Sequence, residues 1–217
     1  APPPQAGAAR ASESCLRPGP AVFTPVPLCT GRKGACCPVK TILCFGDSNT
    51  FGYVPGTGAR YAREVRWPCR MAQLLGEGYE VVAEGLSGRT TVFSDYIEPY
   101  RAGIEHNVPI VQSHAPDALV VMLGTNDTKE WYGATAERIC AGMEYIVCRA
   151  QNTPCWTEKG PNILVIAPPP IDAGYVDTES LPEFGPGARE KSLALAPLYE
   201  KSAKRLGCAF FDAGPVS

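Results

Sequence analysis

Five short apolar runs, separated by stretches long enough for a helix, constrain the fold of this 217-residue chain more than any other feature. One of them, Leu119-Val120-Val121-Met122-Leu123, shows their continuous apolar character. Such runs are typical of parallel strands in a sheet that is covered on both faces. They predict strands at residues 41 to 47, 79 to 86, 117 to 124, 162 to 168 and 208 to 212. We therefore expect one α/β domain with a mostly parallel five-stranded sheet.

Two of the intervening stretches carry a helical repeat. The first stripe comprises Ile139, Met143, Ile146 and Val147, and the second comprises Leu195, Leu198, Tyr199, Ala203 and Leu206. Each stripe has the period of a helix that buries one face. Gly207 is expected to end the second helix, whereas Pro197 predicts either a kink in that helix or a later start.

The first 40 residues differ from the rest of the chain in composition. They are rich in Pro, Ala and Gly, as in Ala1-Pro2-Pro3-Pro4, and show neither strand nor helix periodicity. We therefore expect a disordered or draped segment at residues 1 to 40 and a folded domain at residues 41 to 217. The chain begins with Ala instead of Met, which indicates processing or a fragment.

The charge of the chain argues against a polyanionic partner. The formal net charge is -2, the isoelectric point is near 5.8, and no Lys-rich or Arg-rich run occurs. These values provide no long-range attraction for nucleic acid or anionic membranes. No apolar stretch reaches the ~18 residues of a membrane helix, and the start lacks the pattern of a signal peptide. We expect a soluble, cytoplasmic protein that acts on a small molecule, with secretion left open.

Ten cysteines raise the question of disulfides and metal sites. Cys44 lies in a predicted core strand, and Cys140 and Cys148 lie in a predicted helix, where small buried thiols are common. Four more occur in the first 40 residues without the C-x-x-C spacing of a zinc site, namely Cys15, Cys29, Cys36 and Cys37. We expect buried free thiols and no metal site, while the even count leaves disulfides in an oxidising compartment open.

Small and polar residues follow three of the predicted strands. These blocks are Gly46-Asp47-Ser48-Asn49, Ser87-Gly88-Arg89-Thr90-Thr91 and Gly124-Thr125-Asn126-Asp127. Because ligands of open α/β sheets bind beyond the carboxyl ends of the strands, Ser48, Gly88 and Asn126 are expected at one site. Ser48 offers a nucleophilic oxygen, and an oxyanion can be stabilised by the N–H groups of Ser48 and Gly88 and by the Asn126 amide. Gly88 lacks a Cβ and so permits close approach of a substrate to its N–H.

These three blocks closely resemble those of the SGNH (GDSL) hydrolases. The segments similar to the arylesterase, acyltransferase and perhydrolase branch are Cys44-Phe45-Gly46-Asp47-Ser48, Arg66-Trp67, Glu84-Gly85-Leu86-Ser87-Gly88-Arg89-Thr90-Thr91 and Met122-Leu123-Gly124-Thr125-Asn126-Asp127-Thr128-Lys129. The resemblance extends from about Thr41 to Gly214. It implies a flavodoxin-like three-layer α/β/α fold, no cofactor, and cleavage or transfer of short acyl groups on small alcohols. By the same resemblance Ser48 is the nucleophile, and Gly88 and Asn126 complete the oxyanion hole.

Several residues of the blocks have a second interpretation. Ser48 can be the N-cap of a helix in an ordinary β-to-α connection. Asp127 is expected to anchor its turn rather than act as a catalytic carboxylate, and Arg89 either ties down its loop or binds an anionic substrate. Ser87 competes with Ser48, but the residues around it lack the second glycine of the G-x-S-x-G nucleophile elbow.

Substrate contact is predicted for Asp47, Trp67 and Arg89. Trp67 belongs to the Arg66-Trp67 pair, which either lines a pocket or covers the core. The sequence does not separate these two roles.

The base that would activate Ser48 is not found in the sequence. In the resembled family it is a histidine of an Asp-x-x-His block that follows the last strand, whereas Asp212 belongs to that strand itself. We therefore expect that the chain is truncated before this block and nearly inactive. Sequencing of the gene beyond Ser217 tests this expectation.

The chain contains two histidines, and neither is expected to replace that base. His114 precedes the strand at residues 117 to 124, whose length at about 3.3 Å per residue separates it from Asn126. His106 lies in a stretch without periodicity and is read as a surface residue.

The sequence thus predicts a serine ester hydrolase or acyltransferase that acts on small ester substrates. Two alternatives stay open: deacetylation of a carbohydrate by the same kind of site, and a non-catalytic α/β binding module that kept the scaffold and lost its base. Oligomers occur in the resembled branch, so a homo-oligomer is expected as well.

Overall fold

The computed structural model describes residues 38–157 and 159–216. Nearly all of the Pro, Ala and Gly-rich segment predicted at residues 1 to 40 therefore lies outside the described residues. The same is true of Cys15, Cys29, Cys36 and Cys37.

A five-stranded, all-parallel sheet forms the centre of the fold. Its strands are β1 (Lys40–Gly46), β2 (Tyr79–Gly85), β3 (Ala118–Met122), β4 (Ile163–Ala167) and β5 (Ala209–Asp212), in the order β2-β1-β3-β4-β5. All four strand pairs are parallel. The predicted α/β class and the five strands are confirmed, with ends that differ from the predicted bounds by at most two residues.

Six α-helices connect the strands of the described chain. They are α1 (Ser48–Phe51), α2 (Trp67–Leu75), α3 (Gly103–His114), α4 (Ala136–Gln151), α5 (Leu181–Phe184) and α6 (Ala188–Arg205). Short 3-10 turns lie at Asn126–Thr128, Glu130–Tyr132, Ala173–Asp177 and Gly214–Val216. None of these helices is long and apolar enough to cross a membrane.

The core has two parts because successive strand residues point to opposite faces of the sheet. Leu43, Phe45 and Val121 face the larger part, where residues of α3, α4 and α6 pack against them. Cys44 and Val120 face the smaller part, which α2 covers. The fold is therefore the expected three-layer α/β/α sandwich.

One prediction about the helices is wrong, and one of the two alternatives for Pro197 is excluded. The second helical stripe does not begin late at Pro197, since α6 starts at Ala188 and carries this proline in its interior. His106 does not lie in an irregular stretch but in the first turns of α3. The periodicity of α3 is hard to read because buried Asn107 interrupts its apolar face and Pro109 lies inside the helix.

Five cysteines of the described residues are free thiols, namely Cys44, Cys69, Cys140, Cys155 and Cys208. Cys44, Cys140 and Cys148 are buried, as the sequence predicts. Burial raises the pKa of the Cys44 thiol to about 12. This thiol therefore stays protonated and behaves as a small apolar side chain.

Candidate active site

The register of three adjacent strands brings the three polar blocks to one edge of the sheet. Gly46, at the end of β1, is paired with Gly85 of β2 on one side and with Met122 of β3 on the other. The three strands therefore end at the same level, and the residues that follow them meet beyond their carboxyl ends. Ser48, Gly88 and Asn126 lie within four residues of these strand ends.

Ser48 is held at the start of the short helix α1. Asp47, not Ser48, is the N-cap, because its side chain Oδ1 accepts a hydrogen bond of 2.9 Å from the N–H of Asn49. The interpretation of Ser48 as an N-cap is therefore wrong. Ser48 is partly exposed, while Asp47 is completely buried. The serine can thus meet a substrate at the surface while its neighbour fixes the turn.

Hydrogen bonds tie the block after β1 to the other two blocks. The carbonyl oxygen of Gly46 accepts from the N–H of Leu86 at 3.1 Å and from Nη1 of Arg89 at 2.9 Å. On the other side, the Asn49 amide donates to Oγ1 of Thr125 at 3.4 Å. The turn that carries Ser48 is therefore fixed on both flanks.

Arg89 is an interior residue whose side chain is 4% exposed. Its Nη1 donates to the carbonyl oxygens of Gly46 and Glu84, and its guanidinium lies 4.2 Å from the centre of the Phe45 ring. Burial lowers the pKa of Arg89 to about 10. These contacts favour the role of a loop anchor over the binding of an anionic substrate.

Gly88 has a backbone conformation that strongly favours glycine. Its φ is +80°, in the left-handed region that is costly for residues with a Cβ. A Cβ at this position would also lie 3.0 Å from Oε2 of Glu98 and 3.2 Å from Nε of Arg101. Among the described residues, neither the Gly88 N–H nor the Ser48 N–H donates to a backbone oxygen. Both donors are thus available to a bound group.

Asn126 and Asp127 hold the loop after β2 from the side of β3. The Asn126 Nδ2 donates to the carbonyl oxygen of Arg89 at 3.0 Å. The Asp127 carboxylate accepts from the N–H of Thr91 at 2.9 and 3.1 Å and from the Thr91 hydroxyl. Because an amide nitrogen carries two hydrogens, Asn126 retains one for a substrate oxygen.

Two buried carboxyl groups lie beneath the site. Burial raises the pKa of Asp127 to about 7, with a smaller contribution from the charge of Asp47, and raises the pKa of Asp47 to about 6. Oδ2 of Asp47 has no hydrogen-bond partner among the described residues. The contacts of Asp127 support its role as a loop anchor.

Trp67 begins α2 and packs on the smaller core beside Met71. Its neighbour Arg66 donates through Nε to the carbonyl oxygen of Tyr61 at 2.8 Å. Trp67 therefore covers part of the smaller core. Substrate contact by Asp47, Trp67 and Arg89 stays a prediction.

Neither histidine is hydrogen-bonded to Ser48 in the described chain. His114 ends α3, and its Nε2 lies 3.3 Å from Oε1 of Glu84. His106 lies with its Nε2 3.2 Å from the carbonyl oxygen of Tyr100. Each imidazole is thus engaged elsewhere.

A groove of about 760 Å³ lies beside Gly88, and the sequence did not reveal it. Loops after β2, β3 and β4 line it, with Tyr96, Glu98, Trp131, Tyr132, Glu179 and Glu183 among its residues. Ser48 is not part of the lining, but Glu98 contacts the position of a Gly88 Cβ. Glu98 therefore links the groove to the surroundings of Gly88. Its loops come from three separate places in the chain, so no local sequence motif predicts the groove.

No group of three or more His, Cys, Asp or Glu side chains lies close enough to hold a metal ion within residues 38–157 and 159–216.

Comparisons with known proteins identify the family. Residues 44–217 match the model of the GDSL-like lipase/acylhydrolase family. A carbohydrate acetylesterase family member from Sinorhizobium meliloti is 40% identical, with a TM-score of 0.75 over 82% of this chain and 84% of that chain. The M. smegmatis aryl esterase is 36% identical, with a TM-score of 0.73 over 82% of this chain and 85% of that chain. No curated protein sequence matches. The chain therefore belongs to the GDSL-like lipase/acylhydrolase (SGNH) family of carboxylic ester hydrolases.

Proposed function

We propose that the protein is a serine ester hydrolase or acyltransferase that acts on short-chain acyl esters of small alcohols, with Ser48 as its nucleophile. One observation carries the proposal: hydrogen bonds from both flanks fix the turn of Ser48 beside Gly88 and Asn126. Its support from relatives is the 36% identity to an aryl esterase of matching fold.

The reaction begins when the Ser48 Oγ attacks the ester carbonyl carbon while a base accepts its proton. The carbonyl oxygen becomes an oxyanion, and the N–H groups of Ser48 and Gly88 and the second Nδ2 hydrogen of Asn126 are available to stabilise it. The alcohol then leaves with a proton, and an acyl group remains on Ser48. Water or another alcohol accepts this group in the second half of the reaction.

The base is assigned to neither described histidine, because neither is hydrogen-bonded to Ser48. The variants His106→Ala and His114→Ala are therefore expected to react with an organophosphonate at the same rate as the unsubstituted protein. Loss of labelling in either variant, with an unchanged melting temperature, would identify that residue as the base.

A carbohydrate acetyl ester is a second candidate substrate. Trp131 of the groove is 55% exposed and offers an aromatic surface on which a sugar ring can stack. The 40% identity to a carbohydrate acetylesterase family member supports this candidate. A panel that compares 4-nitrophenyl acetate with acetylated sugars separates the two.

The nucleophile is tested by covalent labelling of the full-length protein with an organophosphonate. We expect mass spectrometry to find the adduct on Ser48, and Ser48→Ala to abolish it. Ser87→Ala is the matched control, because Ser87 follows the neighbouring strand β2, and it should retain labelling. An adduct that persists in Ser48→Ala overturns the assignment.

The non-catalytic binding module remains the alternative from a different class. It predicts that no ester of the panel is hydrolysed and that Ser48 is not labelled, although the protein is folded. Hydrolysis that depends on Ser48 contradicts it.

A further inference from the structure

The groove beside Gly88 carries an excess of negative charge. Its lining includes the carboxylates Asp95, Glu98, Glu179 and Glu183 and contains no Lys, Arg or His. Two cations flank it, because Lys129 pairs with Glu183 and Arg101 lies 3.6 Å from Glu98. The carboxylates of Asp95 and Glu179 have no ion-pair partner within 4.0 Å among the described residues, and the more distant charge of Lys129 acts on Asp95.

Asp95 is held as a fixed anion at one wall of the groove. Its Oδ1 accepts from the N–H of Ile97 at 2.8 Å and of Glu98 at 3.2 Å, and its Oδ2 accepts from the Tyr132 hydroxyl at 3.3 Å. These donors lower the pKa of Asp95, first of all the N–H of Ile97. The charge is therefore present throughout the neutral pH range.

Aromatic rings accompany these charges. Trp131 and Tyr132 follow one another in the turn after β3, with ring centres 6.0 Å apart and an edge-to-face arrangement. Lys129 already lies 5.2 Å from the centre of the Trp131 ring, while that side chain remains 55% exposed. Aromatic faces attract cations, and quaternary ammonium ligands are recognised in this way.

The size and position of the groove suit part of an ester substrate. Its volume of about 760 Å³ lies within the usual range of small-molecule pockets, roughly 300–1,000 Å³. Glu98 lines the groove and also borders Gly88, one of the candidate oxyanion-hole residues. A molecule whose acyl group is at Ser48 can therefore extend its alcohol part into the groove.

We propose that this groove binds the alcohol part of esters in which that part carries an organic cation, such as a quaternary ammonium group. The substrate class follows from charge complementarity with Asp95 and Glu179 and from the rings of Trp131 and Tyr132, and it rests on the proposed function of Ser48. An anionic alcohol is repelled by the same carboxylates.

The test compares two acetate esters of nearly equal shape as substrates of the full-length protein. Acetylcholine carries a positive nitrogen where 3,3-dimethylbutyl acetate carries a neutral carbon. We expect kcat/KM to be on the order of tenfold higher for acetylcholine, which corresponds to one cation–aromatic contact at a partly desolvated site. The preference should fall as salt rises from 0.05 to about 0.5 M, because salt screens the carboxylates.

Two variants test whether the preference arises in the groove. Trp131→Leu removes the ring, and Glu179→Gln removes one charge, so each should bring the rate ratio closer to one. Glu200→Gln is the matched control, since Glu200 is an exposed carboxylate of α6 outside the groove, and its ratio should equal that of the unsubstituted protein. A ratio of one in the unsubstituted protein, or a ratio that neither groove variant changes, overturns the proposal.

Calorimetry separates a failure of the groove from a failure of the catalytic assignment. Choline should bind Ser48→Ala more tightly than 3,3-dimethyl-1-butanol, by on the order of tenfold. If no ester is hydrolysed but choline binds in this way, the nucleophile assignment fails and the groove assignment stands. If esters are hydrolysed but choline binds no better than the neutral alcohol, the groove assignment fails. Faster cleavage of acetylated sugars than of acetylcholine, lost in Trp131→Leu, would make the groove a sugar site instead.

Discussion

Asp127 lies in the interior, and its ionisation there is predicted to make stability depend on pH. The residue has no exposed surface, and burial raises its pKa from 3.8 to about 7. Each pKa unit corresponds to 1.36 kcal/mol, so this shift corresponds to ~4 kcal/mol in the free energy of unfolding. The hydrogen bonds from Thr91 stabilise the ionised form but do not offset the burial.

The direction of the effect follows from proton binding. Below pH 3.8 the folded and unfolded states both hold the proton of Asp127, and its contribution to stability is fully present. Between pH 3.8 and about 7 only the folded state holds this proton, so stability falls as the pH rises. Above about pH 7 both states have lost it, and the contribution stays at its lowest value.

The variant Asp127→Asn removes this titration because an amide does not ionise. Asp47, with a pKa of about 6, still titrates in both proteins and cancels in the comparison except for the smaller contribution that its charge makes to the pKa of Asp127. The free energy of unfolding of the unsubstituted protein, minus that of the variant, should therefore decrease by up to ~4 kcal/mol between pH 4 and pH 8. A constant loss of stability from the changed hydrogen bonds to Thr91 shifts this difference by the same amount at every pH.

Urea unfolding at pH 4.5, 6 and 8 measures the difference. The exposed Asp177→Asn variant controls for the general effect of removing one carboxylate. If the free energies of unfolding of the unsubstituted protein and of Asp127→Asn change in parallel with pH, the reasoning is refuted. Asp127 would then ionise in the folded state at little cost in free energy.

Three further substitutions test the site. In the full-length protein, Asn126→Ala should lower kcat for 4-nitrophenyl acetate by about 10²- to 10³-fold, and a loss below about tenfold would exclude Asn126 from the oxyanion hole. Gly88→Ala should destabilise the protein by ~1–2 kcal/mol, measured in urea, because its φ is +80°. Arg89→Met should cost ~2–4 kcal/mol, since it removes the buried guanidinium that donates to the carbonyls of Gly46 and Glu84. Unchanged stability with a raised KM for anionic esters alone would instead make Arg89 a substrate ligand.

The strands and the residues of the candidate site could be predicted from the sequence because the patterns that indicate them lie in neighbouring positions. A continuous apolar run indicates a buried parallel strand wherever it occurs. The block that carries Ser48 directly follows such a run, and the same is true of the block that carries Asn126. Their position beyond the carboxyl ends of strands therefore needed no knowledge of the tertiary structure.

Helix α3 and the groove could not be predicted in this way. The face of α3 toward the core includes Asn107, which interrupts the apolar pattern, so the helix escaped detection. The groove combines loops that follow three different strands, and its aromatic and acidic residues form no motif along the chain. Only the packing of the crossover connections brings them together.

The sequence by itself determined the α/β class, the number of strands and the three blocks, because continuous apolar runs and the residues that end them are properties of neighbouring positions. The tertiary structure decided what each polar residue of those blocks does. Asp127 anchors Thr91, 36 positions away, and Arg89 bonds to Gly46, 43 positions away. Burial and electrostatics depend on such distant neighbours, so the same carboxylate or guanidinium can be a ligand at the surface or an anchor in the interior.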